Sequence, residues 1–229
     1  MNFIGIDISI NSTAIFIENE KEQHILSWTN KKDNNIYIKE LARCGVQFFH
    51  QNKDSSKDYS KNEVIKLRYF IDVANSMCEE ILKRINTKEK TYCQIEGYSF
   101  SKNTSSILDL VALSSIIRSK LLENIEGIDI SIISPASLKL ESCKLVYPPI
   151  NVGIKKEKLE WRNNEGISGG NFKKPQMFRA ILEGKINTPI FEMLETYRDL
   201  MDREKIPNPI EDIIDATFAC KIKKRDVLK

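Results

Sequence analysis

Histidine is almost missing from this chain of 229 residues, which holds only His24 and His50. Neither lies near a cysteine, and Cys44, Cys78, Cys93, Cys143 and Cys220 form no CxxC pair, so a zinc centre is not expected. An odd number of scattered cysteines suits reduced thiols inside a cell. No apolar run approaches the roughly 18 residues of a membrane span, and the N-terminus shows no basic leader followed by an apolar stretch. An intracellular, non-secreted protein that does not enter a membrane is therefore expected. Glycine is sparse, and the turn Ser9–Thr13 after the first strand contains none. A chain built on a glycine-rich phosphate loop, such as an actin-like ATP-binding enzyme, is thereby disfavoured.

What the sequence does contain is acid in unexpected places. Asp7 ends the apolar strand FIGID, Glu96 ends a second strand, and Asp212 and Asp215 interrupt a C-terminal helix of otherwise apolar character. Carboxylates in buried elements are costly unless their charge is compensated, and a divalent cation is the usual compensation. Charge along the chain is uneven although the net value is only +3. Residues 139–185 carry ten Lys or Arg against five Glu, and residues 221–229 add five bases against Asp226. A basic second half beside an acidic cluster suits an enzyme that holds a phosphate backbone and presents metal ions to it.

Length favours one domain covering 1–229. Strands are expected at 3–8, 14–17 and 23–28, close enough in sequence to form an antiparallel meander. Residues 29–60 are polar and read as a surface insertion with some local structure around the apolar patch 44–49. A long amphipathic helix over 62–85 precedes a fourth strand at 91–96, a helix over 105–124, a fifth strand at 128–133 and a helix start at Pro135. The basic segment 144–172 is expected to be irregular and mobile, followed by a helix over 175–183. In the last helix Asn208 is the expected cap, with Pro209 in the first turn and Glu211 completing a capping box. The result is an α/β fold with a mixed five-stranded sheet, three antiparallel strands and then two parallel ones, and helices on both faces.

Alternation on the first strand puts Phe3, Gly5 and Asp7 on one face, where Gly5 leaves room for a helix or ligand. If strands one and four are neighbours, Asp7 and Glu96 stand side by side. Asp212 and Asp215 lie roughly 60° apart around their helix, which Ala219 allows close to the sheet. Such a cluster suits two Mg²⁺ ions, with Mn²⁺ as a substitute, because hard cations take oxygen ligands. Taken singly, Asp7 capping a turn and Asp212 and Asp215 at a helix N-terminus have ordinary structural explanations.

The segments FIGIDISINSTAI, QIEGYSF with SSILDLVALSSII, and IEDIIDATFAC resemble the acidic signatures of RuvC-type Holliday junction resolvases of the ribonuclease H-like superfamily, in its phage and viral branch. SPASLKL and GGNFKKPQM resemble the family's two lysine-bearing segments. The resemblance implies a ribonuclease H-like fold, with Asp7, Glu96, Asp212 and Asp215 as ligands of two metal ions. It places Lys139 and Lys174 near the phosphates, Lys174 as a catalytic residue, with Lys173 able to take that part. Tyr98, Phe100 and Lys102 are further candidate DNA contacts. The family's base-stacking aromatic falls at Ser99, so Tyr98 and Phe100 stand out of its register. The implied activity is cleavage of four-way DNA junctions by paired phosphodiester hydrolysis, and the implied assembly is a homodimer. Leu110, Leu113, Ile116, Ile117 and Leu121 offer either a dimer surface or core packing. A broader nuclease for flaps and forks, and a non-catalytic DNA-binding module of the same fold, are the alternatives.

Overall fold

The computed structural model describes residues 1–32, 35–51, 54–98, 104–151, 159–203 and 206–229. Its centre is a six-stranded sheet built from β1 (Asn2–Asp7), β2 (Ser12–Glu18), β3 (Gln23–Thr29), β4 (Gln47–His50), β5 (Thr91–Glu96) and β6 (Asp129–Ile133), in the order β4-β3-β2-β1-β5-β6. β1 to β3 form the expected antiparallel meander, and β5 and β6 continue the sheet parallel to β1. This is the mixed sheet expected from the sequence, three antiparallel strands and then two parallel ones, with one strand more than was counted.

The extra strand corrects the reading of residues 29–60. Helix α1 (Ile36–Arg43) is capped by Asn35, whose side chain accepts from the Tyr37 and Ile38 amides, and it leads into β4, which pairs parallel to β3 at the sheet edge. Ile38, Leu41 and Val46 are buried, so the segment belongs to the core. Four residues of β4, QFFH, are too short for a period-two pattern to stand out.

Helices α2 (Tyr59–Leu82) and α3 (Thr104–Asn124) cover one face of the sheet, packing on Ile4, Ile6, Ile15 and Ile17. The α3 residues Leu113, Ile117 and Leu121 are buried in this layer, and Leu110 and Ile116 pack against it. Of the two readings of this stripe, core packing is the one these contacts bear out. On the other face lie α4 (Pro135–Val146), α5 (Lys174–Leu182), α6 (Phe191–Thr196) and α7 (Ile210–Leu228), over Phe3, Ala14 and Phe16. Within 144–172 the described residues are more ordered than expected. β7 (Pro149–Asn151) pairs antiparallel with β8 (Leu159–Trp161), and Phe172 is fully buried.

Helix α7 is buried nearly all round, from Ile213 to Cys220 without a break. Gly5 makes that possible: a Cβ there would lie 1.9 Å from the Ala216 carbonyl oxygen and 2.4 Å from the Cys220 amide nitrogen. The start of α7 departs from the expected capping box. Pro209 is the cap residue, and Asn208 turns its amide toward Asp212 Oδ1, donating at 3.4 Å.

Candidate metal centre

β1 and β5 run parallel in register, with Ile6 opposite Ile95, so Asp7 and Glu96 emerge from adjacent strand ends. The close approach of α7 over Gly5 brings Asp215 to the same level. Ligand oxygens of Asp7, Glu96 and Asp215 all lie within 4.8 Å of one another. Asp212 stands beside this trio, near enough for its charge to act on Asp7, but outside the three-way cluster.

Burial makes the arrangement expensive. Asp215 is 2% exposed and Asp212 6%, and one oxygen of each, Asp215 Oδ1 and Asp212 Oδ2, is buried with no hydrogen-bond partner. Desolvation raises Asp7 well above the usual carboxylate range, and the charges of Glu96 and Asp212 push it further. Glu96 is raised for the same reason, with the charges of Lys174 and Lys139 opposing the rise. Asp212 is pushed up to about 7 by burial, partly offset by the charges of Lys174 and Lys31.

Among the described residues, the cation in contact with the trio is Lys174, on the first turn of α5. Its ammonium forms an ion pair with Asp215 Oδ2 and stands 3.8 Å from Glu211 Oε1. Its charge also opposes the rise at Asp7, Glu96 and Asp212. The one ammonium in contact does not compensate four carboxylates, even with the charges of Lys139 and Lys31 acting on Glu96 and Asp212, and two buried oxygens are left without partners. An all-oxygen donor set with orphaned lone pairs fits a hard divalent cation such as Mg²⁺ or Mn²⁺. Asp7, Glu96 and Asp215 would hold it, with Asp212 alongside.

The other candidate residues are spread around this centre. Lys139, on α4, is half-buried and its charge reaches Glu96. Lys173 is exposed and lines a cleft of about 540 Å³ with Arg162, Ser168 and Asn171. Tyr98 is half-buried, and its hydroxyl accepts from Arg118 at 2.7 Å. Phe100 and Lys102 lie outside the described residues. Sequence reading missed Lys31 and Glu211. Lys31 donates to the Asn208 carbonyl and Glu211 meets Lys174. Only the strand register and the packing of α7 bring these residues to the acids, so nothing local announced them.

No family model matches the sequence, and no curated protein matches it. Solved structures are similar to the chain over most of its length. Thermus thermophilus RuvC in complex with a Holliday junction substrate is 10% identical, over 97% of this chain and 91% of that one, with a TM-score of 0.43. A second Thermus thermophilus RuvC structure is 11% identical over 97% and 92%, with a TM-score of 0.45. The yeast mitochondrial Holliday junction resolvase Ydc2 is 11% identical over 97% and 77%, with a TM-score of 0.48.

Proposed function

We propose that this protein is a divalent-metal-dependent endodeoxyribonuclease that resolves four-way DNA junctions by paired phosphodiester hydrolysis. The observation that carries the reading is the trio Asp7, Glu96 and Asp215, with oxygens within 4.8 Å at the end of two adjacent parallel strands. Divalent ions held there would lower the pKa of an attacking water and steady the departing 3′ oxygen. The chain's own residues supply the rest. Glu211 and Asp212 shape the negative rim, while Lys139, Lys173 and Lys174 offer positive charge to a phosphate backbone. The signature segments around the four acids support junctions as the substrate. Symmetric cuts on two opposed strands would require two copies of the chain.

The test is incubation of the purified protein with labelled four-way junction, flap, fork and linear duplex, with Mg²⁺ and with EDTA, mapping cuts on every strand. Paired symmetric nicks at the junction, abolished by EDTA, are expected, with a dimer mass by light scattering. Cuts spread over flaps and forks would make the protein a general branch nuclease. Binding without cleavage in either buffer would make it a DNA-binding module.

A further inference from the structure

Lys174 is placed oddly for a residue whose only task is to meet DNA. Its side chain is 20% exposed, and its ammonium already sits on Asp215 Oδ2, inside the acidic cluster. A divalent ion that takes Asp215 must displace that ammonium or bear its repulsion at close range. We infer that Lys174 is a placeholder cation, which neutralises Asp215 in the DNA-free protein and leaves it for a phosphate of the bound strand, so that metal and DNA bind cooperatively. This inference rests on the metal-dependent reading above.

The geometry gives Lys174 the means to exchange partners. Helix α5 is anchored by the fully buried Met177 and Phe178, and its start is tied by the Lys173 amide donating to Gln176 Oε1 at 2.8 Å. The backbone can therefore stay still while the four-carbon stem moves the charge. Glu211, at 3.8 Å, offers a second perch when Asp215 is taken. The pairing is also incomplete. It leaves Asp215 Oδ1 buried and unpartnered, as expected where a single point charge stands in a site suited to a doubly charged ion with several oxygen ligands. Once a phosphate engages Lys174, the competition for Asp215 ends and the metal binds more tightly. By linkage, the metal must raise the affinity for DNA by the same factor.

The experiment is Mn²⁺ titration by calorimetry or paramagnetic resonance, on the unchanged protein and on Lys174→Gln. Each is titrated alone and with a four-way junction carrying charged, non-hydrolysable phosphonate linkages at the branch. The unchanged protein should bind Mn²⁺ about tenfold more tightly with the junction than without it. Lys174→Gln should bind Mn²⁺ about tenfold more tightly than the unchanged protein in the absence of DNA, and should lose most of the further gain from the junction. Weaker or equal Mn²⁺ binding by Lys174→Gln without DNA would overturn the inference while leaving a metal-dependent nuclease standing. Failure of both proteins to bind Mn²⁺ would overturn both readings. In the unchanged protein, the Lys174 Nζ resonance should shift on addition of Mg²⁺ alone and again on addition of the junction. A resonance that ignores Mg²⁺ would rule out displacement even if Lys174→Gln did not fold.

Discussion

At the scale of single residues, the acids carry opposing obligations to stability and to chemistry. Asp7 is held above the usual carboxylate range by burial and by Glu96, so its charge is a burden to the metal-free fold. Replacing Asp7 with Asn should lower cleavage on the order of 10³-fold, the worth of several kcal/mol of metal-borne stabilisation, and leave junction binding equal or tighter. Single-turnover cleavage and gel-shift titration on one preparation would check it, and retained cleavage would remove Asp7 from the required ligands. Asp212 makes a second prediction with a definite sign. A carboxyl raised from 3.8 to about 7 on folding adds most to stability below its unfolded pKa and loses that contribution as pH rises toward 7. The metal-free protein should therefore grow less stable from about pH 4 to pH 7. Asp212→Asn should flatten that slope and gain up to roughly 2–4 kcal/mol at pH 8. Denaturant melts in EDTA at several pH values would read it, and a parallel slope in the variant would refute it.

At the scale of elements, the contact between β1 and α7 is what assembles the cluster. The atoms that a Cβ on Gly5 would meet are main-chain, Ala216 O and Cys220 N, which cannot rotate away as a side chain could. Gly5→Ala should force strand and helix apart, at a cost of about 2–4 kcal/mol, and move Asp215 away from Asp7 and Glu96. The expected result is a lower denaturation midpoint together with weaker Mn²⁺ binding. A loss of stability with unchanged metal affinity would mean that α7 re-seats without disturbing the acids. Element by element, the meander, the neighbouring β1 and β5, and the helices on both faces were legible, because alternation and helical spacing act over short windows. β4 was not, since its four residues are fixed by pairing with β3 and by the burial of Val46 and Leu41.

At the scale of the whole molecule, charge is divided between an acidic centre and a basic second half. A DNA phosphate contact from Lys173, exposed beside the 540 Å³ cleft, should show in the salt dependence of binding. Lys173→Gln should reduce the slope of log affinity against log salt by about 0.9 and weaken binding similarly on all branched DNAs. An unchanged slope would place Lys173 outside the interface. Among the described residues no helix is long and apolar enough to cross a membrane.

The identity of the four acids and the strand ends that bear Asp7 and Glu96 were determined by the sequence alone, because carboxylates in apolar elements are visible without coordinates. So was the freedom of α7 to approach, written in Gly5 and Ala219. The tertiary structure decided which acids converge, drawing Asp7, Glu96 and Asp215 into one trio and leaving Asp212 beside it. It also set Lys174 on Asp215 and brought Lys31 and Glu211 to the rim. These contacts join residues as far apart in sequence as Asp7 and Asp215, and their distances follow from sheet register and from the packing of α5 and α7, which no local pattern encodes.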